Sequence, residues 1–521
     1  MAAHPEGKVM RVVVLLLALL GAPSMSFAES NLTRHNPPGP YAVGLRVVEQ
    51  YDFARGYRGD TDVETGKPIA GERARPIQTL VWYPAAEGSG RGLTVGDYAK
   101  LGATADDFEH PPAERIVIQA KFVAALVAKL PSDRGKAELA APMQARRDAA
   151  PASGKFPVVI YAPSFNAEAY ENADLCEYLA SQGYLVIASP SFGQASRGMT
   201  TDLEGVEAQV GDIEFLIGYA HGLPQADLSR LAVAGYSWGG LANAMAAAKD
   251  SRIRALVTLD GSVRYWPNIV KQSQYLSPAR VTAPMLYIAA APKSVEDTAA
   301  DVNRDQSFLA KMKYADLYKV TMYPYVHANF SAMFGQRLQD DYGAYDKGEL
   351  STANDWVETY VRHFLDAYLK GDVAARALLD TPVAKTGAPR HLLAIDVNKS
   401  TGAPPTRAAF AAELNRAGFE KALATYQAFK TRDPGFEIDE TELNRWGYQR
   451  LAAGDTHMAV GVLKLAADLH PDSWNAFDSL GEAYAADGDK ARAVAAYRQS
   501  LVLNPKNANG AVQLKVLGAA P

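Results

Sequence analysis

The chain has 521 residues, 48% of them apolar and 21% charged, with a formal net charge of −5. That length implies two or three domains, and that composition supplies a sizeable core. The slightly negative balance gives no electrostatic reason to bind nucleic acid or an anionic membrane surface, and the single cysteine, Cys176, excludes an internal disulfide.

Lys8 and Arg11 introduce an apolar run over 12–20, and Ser26-Phe27-Ala28 follows as a small-x-small site. Residues 1–28 therefore read as a signal peptide cut near Ala28, and the expected location is periplasmic or extracellular. No later run is long enough to span a bilayer, so no transmembrane segment is expected in the mature chain. After a loose start, residues 42–48 and 77–84 have strand character. An insertion over 92–154 comes next. Within it, residues 116–130 have helical spacing ending before Pro131, and 140–155 read as a surface loop. The insertion is a candidate cap over a pocket, or else a helix patching the outside of the sheet. Then strands over 156–161, 184–188, 231–234, 255–259, 285–289 and 319–323 alternate with helices over 171–182, 205–219 and 241–248, closed by a helix over 353–369. Strands alternating with helices predict a mainly parallel sheet covered on both faces, with reactive groups at the carboxyl ends of its strands. Cys176 falls in an apolar-periodic helix and is expected in the core. No cysteine or histidine cluster has metal-ligand spacing, so neither metal nor cofactor is expected.

Between the strand at 231–234 and the helix at 241–248 lies Gly235-Tyr236-Ser237-Trp238-Gly239, a Gly-x-Ser-x-Gly turn. A serine on so tight a strand-to-helix turn is lifted clear of the sheet, beside amide N–H groups suited to a developing negative charge. A hydroxyl becomes a good nucleophile only when an imidazole takes its proton and a carboxylate orients that imidazole. Asp260 follows the strand 255–259 and His327 follows 319–323, in the order Ser, Asp, His expected for an elbow hydrolase. The rival acid is Asp297, and after it Asp301, in the loop after 285–289. His221 and His363 lie on or beside helices and read as structural or surface residues.

Four blocks carry a resemblance: Arg75-Pro76-Ile77-Gln78-Thr79-Leu80-Val81-Trp82-Tyr83-Pro84, the elbow, Leu259-Asp260-Gly261 and His327-Ala328-Asn329-Phe330. Together they resemble the platelet-activating-factor acetylhydrolase-like branch of the α/β-hydrolases, with the dienelactone hydrolase group as a near relative. The resemblance implies an α/β-hydrolase domain over about 40–378 and short-chain ester hydrolysis. It also implies an acid after the strand that follows the elbow, which selects Asp260 over Asp297. The implied oxyanion hole is formed by the amides of Trp238 and Phe165. The chain departs from its relatives in the second donor loop, where Ala162-Pro163-Ser164-Phe165 replaces their His-Gly pair, and Pro163 has no N–H to offer.

Residues 379–405 are irregular and read as a linker. Beyond them Gly447, Ala459 and Pro471 recur as Gly481, Ala493 and Pro505, each 34 residues later. This spacing, with Leu480, Tyr484 and Tyr497, resembles tetratricopeptide repeats. Two units at about 440–473 and 474–507, a degenerate one over 410–434 and a last helix near 508–517 make an all-α domain over 406–518. The expected protein is an exported serine esterase with a small ester or lipid-like substrate, and its repeats bind a protein or peptide or buttress the hydrolase. Two other functions use the same residues: a non-catalytic scaffold acting through the repeats, and an acyltransferase or amidase using the same serine.

Overall fold

The computed structural model describes residues 1, 30–61, 65–68, 71–128, 130–291, 308–338 and 343–520. The export-signal reading, its cleavage point near Ala28 and the rival acids Asp297 and Asp301 lie outside the described residues. The chain divides into two compact units, Met1–Ser400 and Thr401–Pro521.

The first unit is built on one eleven-stranded sheet. In chain order its strands are β1 (Ala42–Gly56), β2 (Ala74–Ala85), β3 (Arg91–Thr94), β4 (Pro142–Arg147), β5 (Phe156–Ala162), β6 (Leu185–Ala188), β7 (Ala226–Tyr236), β8 (Ile253–Leu259), β9 (Met285–Ala290), β10 (Leu317–Met322) and β11 (Leu393–Asn398). Their spatial order is 11-10-9-8-7-5-6-2-1-4-3. The six strands from β10 to β6 run parallel; β2 joins β6 antiparallel, β1 joins β2 antiparallel, and β11 closes the other edge antiparallel to β10.

The period-2 alternation of the central strands assigns side chains to the two faces. Val159 and Tyr161 of β5, with Ala232, Ala234 and Tyr236 of β7, join one apolar cluster. Val158, Ile160, Leu231 and Val233 join the other. Helix α4 (Ala173–Ser181) and the long helix α8 (Lys347–Leu365) cover the first face, through Leu175, Cys176, Leu179, Val357, Val361 and Phe364. Helices α5 (Leu203–Ala220) and α6 (Trp238–Lys249) cover the second, through Val210, Ile213, Ile217, Leu241 and Met245. Each such fully buried Leu, Ile or Phe contributes about 1.5–3 kcal/mol relative to exposure.

Local chemistry sets the ends of these helices. Asp202 caps α5 by accepting the Gly205 N–H at 3.0 Å. Asp346 and Glu349 form a reciprocal capping box that starts α8 six residues before the apolar periodicity at 353 becomes visible. Helix α4 begins at Ala173 rather than at 171, because Glu171 and Asn172 turn their side chains to other loops.

The insertion differs from the sequence expectation. Its first helix, α1 (Val95–Gly102), is the one that enters the core: Trp82 Nε1 donates to the Tyr98 hydroxyl at 2.8 Å, and that hydroxyl donates to the buried Glu177 at 2.6 Å. The apolar helix expected over 116–130 is α2 (Pro112–Val127), and none of its side chains is buried. A third helix, α3 (Ser132–Ala140), follows. The stretch 140–155, expected as a loop, contains β4, which pairs with β1 and β3. Likewise, residues 379–405, expected as a linker, carry β11. Half-exposed strands at or next to the edges of a sheet lack the continuous apolar run that identifies a central strand.

In the second unit α12 (Glu440–Ala452) packs on α13 (Thr456–Leu469), and α14 (Trp474–Ala486) packs on α15 (Lys490–Leu503). Gly447 abuts Leu463 while Gly481 abuts the ring of Tyr497, so one close helix–helix contact recurs after 34 residues (481 − 447 and 497 − 463). Ala459 and Ala493 are both fully buried. Helices α10 (Arg407–Ala417) and α11 (Ala422–Arg432) precede these pairs, and α16 (Ala508–Val516) follows them.

Candidate active site

Strand β7 ends at Tyr236 and α6 begins at Trp238, leaving Ser237 alone between them with φ 53° and ψ −115°. A non-glycine residue in that region is strained, and the turn persists because its surroundings hold it. The Ser237 N–H donates to Leu259 O at 3.0 Å, and Ser237 O accepts from Ser262 N at 2.8 Å and Gly240 N at 3.0 Å. A β-carbon on Gly239 would stand 2.1 Å from Ala162 O, so only glycine lets the elbow approach the end of β5 this closely.

At the end of β8, Asp260 takes φ 42°, and its N–H donates to Ile288 O at 2.6 Å. The following Gly261 is required by packing: a β-carbon there would meet Thr258 Cγ2 at 2.1 Å. After β10, the short turn His327–Phe330 is held by Asn329, whose Oδ1 accepts the Val326 N–H at 2.8 Å. These three turns bring together side chains 67 and 90 residues apart. Ser237 Oγ lies 2.9 Å from His327 Nε2, and His327 Nδ1 lies 2.6 Å from Asp260 Oδ2. An ionised carboxylate only accepts, so Nδ1 carries the proton and Nε2 is left to accept from the serine hydroxyl. Asp260 is buried, and its other oxygen accepts from Ala290 N at 3.3 Å and the Tyr265 hydroxyl at 3.4 Å. The imidazole of His327, by contrast, is half exposed. Such a chain can withdraw a proton from Ser237 as the hydroxyl attacks and return it to a leaving group.

Phe165 and Trp238, the expected oxyanion donors, stand side by side with rings in edge contact at 5.6 Å, and Trp266 contacts Trp238 on another side at 5.5 Å. Among the described residues neither donor amide has a protein acceptor. Of the histidines set aside from sequence, His221 Nε2 lies 3.0 Å from an Arg252 guanidinium nitrogen and His363 Nδ1 donates to Thr359 O at 2.8 Å; neither joins the cluster. No group of His, Cys, Asp or Glu among the described residues could hold a metal ion, and none of the described helices is long and apolar enough to cross a membrane.

Several residues at the site were not singled out from sequence. The Tyr236 hydroxyl donates to His327 O at 2.8 Å, and Asn172 Nδ2 donates to Phe330 O at 2.9 Å, so both steady the turn that carries the imidazole. Glu171, fully buried, accepts from the N–H and the hydroxyl of Ser164 at 2.8 and 2.6 Å. Burial pushes its carboxyl up to about 7. The only sequence signal for Glu171 and Asn172 was two polar residues at the start of an apolar helix, which equally describes an ordinary first turn. Arg197 ties the insertion to this region: it donates to Asp106 at 2.7 Å and Gly102 O at 2.7 Å on one side, and to Glu168 at 3.1 Å on the other.

Residues 144–360 match the Dienelactone hydrolase family. Among solved structures, a ferulic acid esterase from Streptomyces cinnamoneus is similar at 19% identity, over 69% of this chain and 98% of that one, with a TM-score of 0.47. No curated protein matches the chain. The mixed sheet, its covering helices and the family match make the first unit similar to α/β-hydrolases of the dienelactone hydrolase type, which cleave esters.

Proposed function

We propose that this chain is an exported serine hydrolase that cleaves carboxylic esters of small molecules with short acyl groups. The observation that carries the reading is the unbroken hydrogen-bonded chain Ser237–His327–Asp260 at 2.9 and 2.6 Å. Ser237 Oγ attacks the acyl carbonyl carbon while its proton passes to His327 Nε2. Asp260 keeps the proton on Nδ1 and offsets the imidazolium charge. The carbonyl oxygen, now an anion, is held by the amides of Trp238 and Phe165. Collapse of the intermediate expels the alcohol, which takes the proton from Nε2 and leaves an acyl-serine. Water then repeats the sequence, releasing the acid and restoring the hydroxyl.

Two further parts belong to this proposal. Residues 1–28 direct export and are removed near Ala28. The second unit is a stack of tetratricopeptide repeats, supported by the recurrence of the Gly447–Leu463 contact as Gly481–Tyr497, and it serves to bind a peptide segment or to support the hydrolase. The test is hydrolysis of p-nitrophenyl esters of graded chain length by wild type and Ser237→Ala. Turnover that is greatest for short acyl chains and falls by about 10³-fold or more in the variant is expected. A folded Ser237→Ala protein with wild-type turnover would remove the mechanism.

A further inference from the structure

We propose that Glu171 is a positioning residue of the oxyanion hole, holding the loop that presents the Phe165 amide and coupling that loop to the turn that carries His327. This inference rests on the proposed serine-hydrolase reading and extends it to a residue outside the Ser–His–Asp chain.

The donor loop after β5 is fixed at each residue that flanks Phe165. Pro163 O accepts from Gln209 Nε2 at 2.7 Å, and Asn166 Oδ1 accepts the Met199 N–H at 2.7 Å. Ser164, adjacent to Phe165, gives both of its donors to Glu171, its N–H at 2.8 Å and its hydroxyl at 2.6 Å. The loop here lacks the His-Gly pair of its relatives, and a buried carboxylate takes over the task of fixing its conformation. The same residue reaches the imidazole turn. Its backbone oxygen accepts the Met333 N–H at 3.1 Å. Asn172 adds bonds to Phe330 O at 2.9 Å and from Ala332 N at 2.7 Å. Loop and turn are thereby held together by one pair of adjacent residues.

The ionic form matters to this role. A carboxylate accepts from both Ser164 donors, whereas a protonated acid must donate to the Ser164 hydroxyl oxygen, which reverses that bond and removes its charge-assisted strength. The titratable groups facing Glu171 are His327, whose positive form favours its ionisation, and the hydroxyls of Tyr161 and Tyr236, both held neutral by burial. With the carboxyl at about 7, the ionised fraction grows from a small minority to a majority over the neutral range. The loop is thus fixed best above neutrality and loosened below it. A glutamine would fill the same space without ionising, so the pH-dependent part of the effect belongs to the carboxylate alone.

The test measures kcat and KM for a short p-nitrophenyl ester in wild type, Glu171→Gln and Ser164→Ala between about pH 5.5 and pH 9. At the alkaline end Glu171→Gln is expected to lower kcat by about tenfold or more, with KM within about twofold, because a displaced oxyanion donor is felt in the transition state. The ratio of wild-type to Glu171→Gln kcat should shrink toward one as pH falls through 7, a readout that a packing role would not move. Ser164→Ala should lower kcat in the same direction without altering KM. A folded Glu171→Gln enzyme with wild-type kcat at all pH values, or a kcat ratio independent of pH, overturns the proposal while leaving the esterase reading intact. Absence of ester turnover in the wild type overturns both.

Discussion

Replacing Asp260 by asparagine leaves shape almost untouched and changes which atom can donate. One carboxylate oxygen accepts from Ala290 N and the Tyr265 hydroxyl, while the other accepts from His327 Nδ1 at 2.6 Å. In the variant the amide oxygen keeps the first pair of donors, so the amide NH2 faces Nδ1. Two donors cannot share that bond, and the imidazole answers by moving its proton to Nε2. That nitrogen, 2.9 Å from Ser237 Oγ, then has no lone pair to receive the hydroxyl proton. The buried negative charge that would stabilise an imidazolium is lost as well. Tautomer and charge together cost about 10³–10⁴ in kcat, or about 4–5.5 kcal/mol of transition-state stabilisation. The assay is steady-state hydrolysis of a short p-nitrophenyl ester, with circular dichroism to confirm the fold, run beside Asp297→Asn, which should stay within about threefold of wild type. An Asp260→Asn enzyme retaining more than a tenth of wild-type kcat, or a severe loss in Asp297→Asn, refutes this assignment of the acid.

Two further substitutions test the frame. Gly239→Ala sets a β-carbon 2.1 Å from Ala162 O and 2.7 Å from Pro163 O, so elbow and donor loop must separate. It should cost about 1–3 kcal/mol in thermal unfolding and most of the turnover, and a variant unchanged in both would show that the approach tolerates a side chain. Glu177→Gln probes the buried relay from Trp82 through Tyr98. Burial raises the Glu177 carboxyl from 4.5 to about 7, so its contribution to stability is fully present below about 4.5 and is lost as pH rises through 7. Relative to wild type, Glu177→Gln should therefore gain up to about 3 kcal/mol in urea unfolding between about pH 5 and pH 8. An unchanged difference across that range would contradict the raised carboxyl.

The parts of the site visible in sequence were those whose geometry is local. A serine two residues from glycine on each side, between an apolar strand and a helix, describes the turn that Ser237 occupies. Asp260 and His327 could be placed because the first directly follows β8 and the second lies in the loop just beyond β10, at the carboxyl ends of parallel strands where polar groups converge. Glu171 and Asn172 could not, because their partners lie in loops and turns whose approach only the folded chain establishes. The outer strands of the sheet escape the sequence for another reason. Strands β4 and β11 are short and partly exposed, so neither interrupts the polarity of its surroundings enough to stand out. In the insertion the apolar spacing over 116–130 marked a helix correctly but not its exposure, since α2 buries none of its side chains while α1 carries the Tyr98 anchor.

The central claim is that the Ser237 hydroxyl is made nucleophilic by His327. Reaction of the purified protein with a fluorophosphonate, followed by peptide mass mapping in wild type, His327→Ala and Ser237→Ala, tests it most directly. One phosphonyl group on Ser237 in the wild type, labelling slowed by about 10³-fold or more in His327→Ala and none in Ser237→Ala, is the predicted result. Equal labelling of wild type and His327→Ala, or modification of another residue with Ser237 untouched, would contradict it.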